Sequence, residues 1–205
     1  MTPRIVVGIS GASGMPYAVR QVELLASGGA AIDVVTTDHA LPILRDEAGL
    51  ELEPDGRPRL ESLWPDEAAR RGVTWHAPGC MSAAIASGSM PTGGMVVCPA
   101  SMHTVGALAA GLADNLLLRA AQVTLKESRR LIVVPRETPM SAVMLEAMAR
   151  LARSGAVVLP ACPAFYHHPA EVRDLVDFVV ARILDLLGVP HNLGMRWDGG
   201  GTAGC

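Results

Sequence analysis

Ile5-Val-Val-Gly-Ile-Ser-Gly-Ala-Ser-Gly14 is the stretch of sequence that decides the fold. Its apolar run ends in a glycine-rich turn, which predicts a buried strand. Apolar residues at helical spacing from Met15 to Ala26 predict a helix directly after the turn, ended by Gly28-Gly29. The turn can present N–H groups and the Ser13 hydroxyl to a phosphate, or it can be a tight turn that simply needs glycine. It is neither the spaced GxGxxG of dinucleotide sites nor a P-loop.

The alternation of strand and helix continues along the chain. Further strands are predicted at 32–36, 73–76, 94–99, 130–135 and 156–160, and further helices at 39–48 with Asp38 as N-cap, 104–112, 115–126, 141–153 and 170–187. The charged, proline-rich segment 50–71 predicts a surface excursion. This order predicts an α/β fold, a Rossmann-like or flavodoxin-like three-layer sandwich with a mainly parallel sheet. Residues 1–197 are expected to form one domain, and the glycine-rich residues 198–205 a mobile tail.

Composition excludes several classes of function. The 205 residues carry a net charge of −3, which gives no electrostatic footprint for nucleic acid or an anionic membrane. Only 3% are aromatic, so we expect a core of Ala, Val, Leu, Ile and Met. The four cysteines are widely spaced and include no CxxC pair, which predicts a protein without structural zinc. The first residues do not resemble a signal peptide, so with the cysteine pattern they predict a cytoplasmic protein. The stretch 72–113 has no Asp, Glu, Lys or Arg, so we expect it in the core, in a subunit interface or around a ligand.

Polar residues collect where the predicted strands end. These ends carry Ser10–Gly14, Thr36–Asp38, Cys98–Ser101 and Pro135–Pro139. Because the carboxyl ends of parallel strands meet at one edge of the sheet, a binding site is predicted there. Ser101 can be a helix N-cap or a ligand contact, and His103 a base or a structural residue. Arg136 and Glu137 offer a phosphate ligand and a proton acceptor, with a surface ion pair as the alternative.

Three further positions attract attention by residue type. Lys126 is the only lysine and follows Arg119 by seven residues, so the two cations are expected on one helix face as an anion site. Arg182 falls within the apolar stripe of the last helix, which favours a binding role over a solvated one. Tyr166 offers a phenol, while Phe165 is expected to be a packed plug. The adjacent His167-His168 pair lacks an acidic cluster, so no metal centre is predicted.

Six segments, in this order and spacing, resemble the flavin prenyltransferases of the UbiX type. They are Gly8–Gly14, Ala86–Ser89, Cys98–Ser101, Arg119–Glu127, Pro135–Pro139 and Pro163–His167. The resemblance runs from Ile5 to Trp197 and implies a single flavin-binding domain. It implies a metal-independent transfer of a dimethylallyl group from dimethylallyl monophosphate to N5 and C6 of reduced FMN. It also implies a homo-oligomer, typically a dodecamer with shared sites, and a UbiD-type decarboxylase that receives the prenylated FMN.

The resemblance also implies roles for individual residues. The positions that match flavin contacts are Gly11, Ala12, Ser13, Thr37, Ser101, Met102, His103, Thr104 and Arg136. The positions that match contacts to the prenyl phosphate are Ser87, Gly88, Arg119, Lys126, Arg136, Glu137, Tyr166 and Arg182, and Trp197 matches a tryptophan that closes the substrate site. Ser13 and Glu47 match residues that handle the N5 proton, and Lys126 and Glu137 are the other two catalytic positions.

Two other functions are kept as alternatives. A flavin-dependent decarboxylase of cysteine-type substrates shares the fold, and Pro99-Ala-Ser101 matches its motif in part. Its Ala-Asn and Pro-x-Met-Asn signatures are absent. A non-catalytic flavin carrier would need neither Lys126 nor Glu137.

Overall fold

The computed structural model describes residues 4–193. Trp197 and the predicted tail at 198–205 therefore lie outside the described residues. The strands are β1 (Arg4–Ile9), β2 (Ala31–Thr36), β3 (Glu51–Leu52), β4 (Pro58–Arg59), β5 (Val73–His76), β6 (Gly94–Ala100), β7 (Leu131–Pro135) and β8 (Val157–Val158). The helices are α1 (Met15–Ser27), α2 (Ala40–Ala48), α3 (Leu60–Leu63), α4 (Glu67–Arg70), α5 (Met102–Ala109), α6 (Leu116–Lys126), α7 (Ala142–Arg153) and α8 (Val172–Leu187).

Six strands form one sheet in the order β5-β2-β1-β6-β7-β8, and every neighbouring pair is parallel. Successive strand residues face opposite sides, as in β1, where Ile5 and Val7 pack with α1 and α8 and Val6 packs with α5 and α6. The predicted three-layer α/β sandwich is therefore confirmed. Within residues 4–193, no helix is both long and apolar enough to cross a bilayer.

The boundaries of several elements differ from prediction. The predicted N-cap Asp38 is wrong: His39 is the N-cap of α2, because the Ala40 N–H already bonds to the Thr37 carbonyl at 3.0 Å in a preceding turn. Helix α5 begins at Met102 instead of 104, directly after its N-cap Ser101. It ends at Ala109, and left-handed Gly111 follows. Strand β8 stops at Val158, and helix α8 begins at Val172 behind a capping box instead of at residue 170.

The aromatic residues also correct two expectations. Trp64, within the charged excursion, is buried at 2% exposure and donates its indole N–H to the Val19 carbonyl at 3.0 Å. The expectation that the core consists only of Ala, Val, Leu, Ile and Met is therefore wrong, because the core also contains Trp64. Phe165 is 67% exposed and not a packed plug, because Tyr166 and His167 are the residues that pack on Phe178.

Candidate active site

A cavity of about 440 Å³ opens at the carboxyl edge of the sheet. Its lining consists of Gly11, Thr37, Asp38, His39, Pro78, Ser101, His103, Thr104 and Asn115. Five of the positions predicted to contact a flavin are thus brought together. Sequence reasoning missed His39, Pro78 and Asn115 as lining residues. Their common signal is position, because each lies just beyond a strand end or at the N-cap of a helix.

Two features of this cavity fit a phosphorylated ligand. The Thr37 hydroxyl oxygen is buried and has no hydrogen-bond partner within the described chain, although buried hydroxyls are normally paired. The first turn of α5, at Ser101 to Thr104, borders the same cavity and presents the positive end of a helix. Gly11 must lack a side chain, because a Cβ there would lie 2.7 Å from the Cβ of His39. The residues present therefore fit a flavin phosphate.

Ser10 ties the two loops that border the cavity. Its side chain is fully buried; the hydroxyl donates to the Pro99 carbonyl at 3.1 Å and accepts the Ser101 N–H at 2.7 Å. Ser101 in turn accepts the Thr104 N–H at 3.3 Å and caps α5. The end of β1 and the start of α5 are thus fixed relative to each other by one side chain.

A second part of this edge brings Ser13, Glu47 and Arg136 together. The Arg136 guanidinium Nε donates to the Ser13 carbonyl at 3.1 Å. The Glu47 carboxylate accepts the N–H groups of Gly14 at 2.8 Å and Met15 at 2.9 Å. These two amides therefore cannot hold a phosphate at the same time, which narrows the role predicted for the glycine-rich turn.

Electrostatics at Glu47 favour its ionised form. Burial acts to raise the pKa of Glu47. Hydrogen bonds from the Ser13 side chain and the two amides, with the nearby charge of Arg136, outweigh burial, so the pKa of Glu47 lies below its ordinary value. Glu47 therefore presents an ionised carboxylate beside Ser13.

Three other predicted residues at this edge have individual environments. Ala12 is buried, and its N–H bonds to the Ser10 carbonyl at 2.8 Å. Met102 packs against the apolar core beneath α5 and is not among the residues that line the cavity. The Glu137 carboxylate accepts the N–H of its neighbour Thr138 at 3.2 Å.

A second group of predicted residues lies at the opposite, amino edge of the sheet. Lys126 ends α6, which runs back from the carboxyl edge, and forms an ion pair with Glu127. A Cβ on Gly88 would lie 2.8 Å from the Lys126 ammonium, so the two residues are in close contact. The loop after Gly88 leads to Gly93, whose N–H bonds to the carbonyl of Arg4 at the start of β1 at 2.8 Å.

Arg119, near the start of α6, contacts the segment that contains Gly88. Its Nε donates to the Ala86 carbonyl at 3.0 Å, one residue before Ser87. Arg119 and Lys126 therefore both contact the segment that contains Ala86 and Gly88, as expected for residues seven apart on one helix.

Tyr166 and Arg182 form a third group. Tyr166 packs edge-on against Phe178, with ring centroids 6.0 Å apart, and Arg182 follows Phe178 by one helical turn. The Arg182 guanidinium is 56% exposed and pairs with Asp185 at 3.0 Å. The expectation that Arg182 lies within the apolar stripe is wrong, because the flanking Ala181 and Ile183 take the buried positions.

The comparisons with known proteins agree with this architecture. The family model described as Flavoprotein matches residues 1–184, so the chain belongs to that family. The flavin prenyltransferase UbiX of Synechocystis is 41% identical over 203 residues, which cover 98% of each chain. The flavin prenyltransferase LpdB of Lactiplantibacillus plantarum is 44% identical over 96% of this chain and 98% of its own. The chain therefore belongs to the UbiX family of flavin prenyltransferases, as the sequence motifs predicted.

Solved structures are similar over the same length. The structure described as AnUbiX (PadA1) in complex with FMN and dimethylallyl pyrophosphate has a TM-score of 0.85 at 34% identity, over 97% of this chain and 99% of that one. A dodecameric FMN-dependent UbiX-like decarboxylase from Escherichia coli has a TM-score of 0.81 at 37% identity, over 96% of this chain and 100% of that one. The FMN-dependent cysteine decarboxylase TvaF, at 19% identity and a TM-score of 0.58, shares the fold alone.

Proposed function

We propose that this protein joins a dimethylallyl group from dimethylallyl monophosphate to N5 and C6 of reduced FMN. The observation that carries the proposal is the cavity at the carboxyl edge, where four other positions that match flavin contacts line the same cavity as Thr37, whose buried hydroxyl has no partner among residues 4–193. When bound, reduced FMN supplies the nucleophilic atoms to which the dimethylallyl group is joined. In this proposal the flavin is held by Gly11, Ala12, Ser13, Thr37, Ser101, His103, Thr104 and Arg136, and Met102 supports the start of α5 from the core.

The remaining chemistry falls to side chains of the protein. Loss of phosphate from the donor leaves an allylic cation, so the departing phosphate must be held by fixed positive charge. Lys126 and Arg136 supply that charge, with Arg119 and Arg182 as further cations. Ser13 and Glu47 handle the N5 proton, which the contact of Glu47 with the Ser13–Met15 turn supports. Glu137 accepts the C6 proton.

The proposal needs more than one copy of the chain. The flavin cavity opens at the carboxyl edge, whereas Gly88 and Lys126 contact each other at the amino edge. Strand β6 alone separates these edges by seven residues, or about 20 Å. We therefore infer that one protomer offers the flavin cavity and a neighbouring copy offers Ser87, Gly88 and Lys126. A dodecamer with sites shared between subunits would meet this need.

Two parts of the proposal concern the cell and not the site. The prenylated FMN is handed to a UbiD-type decarboxylase, which the family relationship supports. The cytoplasmic location expected from the cysteine pattern remains a prediction.

One assay tests the reaction directly. The protein is incubated anaerobically with FMN, a reductant and dimethylallyl monophosphate, and the extracted flavin is weighed by mass spectrometry. We expect the flavin mass to rise by one dimethylallyl group. If the mass of FMN is unchanged with both the mono- and the diphosphate donor, the transferase function is rejected and a flavin carrier becomes the better explanation. Release of CO₂ from a cysteine-type substrate would favour the decarboxylase.

A further inference from the structure

Arg129 reaches from the end of α6 to the loop that carries Gly88. Its Nη2 donates to the Gly88 carbonyl at 2.7 Å, and its Nη1 donates to the Met90 carbonyl at 2.7 Å and to the Thr92 hydroxyl at 3.5 Å. Ser128, just before it, adopts a left-handed conformation with φ of 55°, which is uncommon for a residue with a side chain. This turn reverses the chain after α6 and directs Arg129 back onto the loop.

We infer that Arg129 is a positioning residue for the donor phosphate. Within the described chain, the Arg129 side chain forms no hydrogen bond with Lys126 or Glu127. It therefore acts on the phosphate site through the loop 87–92. The inference rests on the proposed function, in which Ser87, Gly88 and Lys126 hold that phosphate.

The hydrogen bonds of Arg129 fix the orientation of the loop peptides. A planar trans peptide points its carbonyl and its N–H in opposite directions. Because the Gly88 carbonyl points to Arg129, the Ser89 N–H of the same peptide points away from it and bonds to the Ser87 hydroxyl at 3.3 Å. The Met90 N–H closes the turn on the Ser87 carbonyl at 3.2 Å. The carbonyls of Gly88 and Met90 therefore point toward Arg129, which donates a hydrogen bond to each.

The groups that this arrangement leaves over suit an anion. Within residues 4–193 the Gly88 N–H has no acceptor, and the Ser87 hydroxyl bonds only within the loop, to Ser89, whose hydroxyl lies 2.8 Å away. The Lys126 ammonium and the Glu127 carboxylate, which form an ion pair, both lie against Gly88. The N–H, the two hydroxyls and the ammonium are donors for a phosphate, which would replace the Glu127 carboxylate as the partner of Lys126, whereas inward-turned carbonyls would repel it.

A guanidinium suits this task better than an ammonium. Its planar fork can hold two carbonyl oxygens in fixed directions, whereas an ammonium is a point charge without that geometry. Arg130 is the matched control, because it is the next residue, has the same charge, and its side chain makes no hydrogen bond or ion pair within the part of the chain that is described.

The experiment compares wild type with Arg129→Ala, Arg129→Lys and Arg130→Ala as full-length enzymes. For each we measure the Kd for FMN, the KM for dimethylallyl monophosphate, kcat, and the rate of amide hydrogen exchange in residues 87–90. Arg129→Ala is expected to raise KM about tenfold or more while kcat and the Kd for FMN change by about twofold or less. Arg129→Lys recovers part of the loss, Arg130→Ala matches wild type, and exchange at 87–90 accelerates only in the Arg129 variants.

Two outcomes overturn the inference while wild type makes product. The first is a wild-type KM in folded Arg129→Ala. The second is a Kd for FMN that rises in parallel with the KM, which would indicate a general structural role. If Arg129→Ala does not fold, the same criteria apply to Arg129→Lys. A wild-type protein that makes no prenylated FMN is a separate result, which rejects the proposed function and this inference with it.

Discussion

Glu47 supplies the helix cap that Gly14 lacks: its Oε2 accepts the Gly14 N–H at 2.8 Å across 33 residues of sequence. Gly14 is the N-cap of α1, adopts φ of 115° and has no side chain with which to cap. The same carboxylate oxygen also accepts the Met15 N–H. A negative charge here is stabilised by the partial positive charge of the helix N-terminus. The first helix and the candidate catalytic carboxylate are thus coupled.

The first prediction concerns Glu47→Gln and pH. The folded-state pKa of Glu47 is lowered, so its contribution to stability is present above the unfolded value near 4.5 and is lost as pH falls through the folded value. At pH 7 the variant is expected to lose about 1 kcal/mol of unfolding free energy in urea. The gap from wild type should shrink below about pH 4.5. Glu146→Gln, on the exposed face of α7, is the control, and an equal gap at pH 7 and pH 4 would contradict the prediction.

The second prediction concerns Ser10→Ala. This change leaves the buried Ser101 N–H and the Pro99 carbonyl without the hydroxyl between them, and each group keeps its desolvation penalty. We expect a loss of about 1–3 kcal/mol in urea unfolding, together with weaker FMN binding by fluorescence titration. Ser154→Ala removes an exposed hydroxyl at the end of α7 and should change neither. If Ser10→Ala is as stable as wild type, the hydrogen bonds of Ser10 with Pro99 and Ser101 are not needed for stability.

The third prediction separates stability from binding at Thr37. Its buried hydroxyl has no partner among residues 4–193, so Thr37→Val should leave the unfolding free energy unchanged or raise it. FMN affinity should fall about tenfold, because the hydroxyl is then missing from the complex. Thr124→Val is the contrasting variant, since its hydroxyl donates to the Ala120 carbonyl at 2.8 Å and its loss should destabilise without changing FMN affinity. Unchanged FMN affinity in Thr37→Val would remove this hydroxyl from the flavin site.

Local patterns predicted most of the fold because the sheet strands are short apolar runs that end in turn residues. The same reasoning failed where a distant contact decides the outcome. Trp64 lies in a charged segment but is buried in the apolar core, where its indole N–H donates to the Val19 carbonyl. Glu47 gave no local signal either, since its partners belong to another helix.

The roles of the candidate site residues stay predictions, and the sequence did not reveal how those residues are arranged within one chain. The resemblance assigned Lys126 and Arg136 to one phosphate site, yet the two residues lie at opposite edges of the sheet. The signal was available: a helix that joins two parallel strands must return to the amino edge, so the last residue of α6 belongs there. Arg129 is different, because its partners are backbone carbonyls, which no sequence pattern marks.

The fourth prediction uses the close packing of Gly88. A Cβ at this position would meet the flexible ends of Lys126 and Glu127, which can move without disturbing the core. Gly88→Ala is therefore expected to keep its unfolding free energy within about 0.5 kcal/mol of wild type but to lose turnover about tenfold or more. Gly79→Ala is the matched control, because nothing lies within 4 Å of a Cβ built there. Equal turnover in the two variants would mean that the Gly88 contact with Lys126 is not part of the site.

The fifth prediction tests whether two copies of the chain build one site. Lys126→Ala and Glu137→Gln are each expected to be inactive alone, because one removes a phosphate ligand and the other a proton acceptor. If each site takes Lys126 from one protomer and Glu137 from another, mixed oligomers contain sites in which both residues are intact. Random mixing in equal amounts leaves about one site in four intact, so co-expressed, doubly tagged oligomers should recover about a quarter of wild-type activity. A site built within one chain would give no recovery, because every chain then carries one of the two lesions.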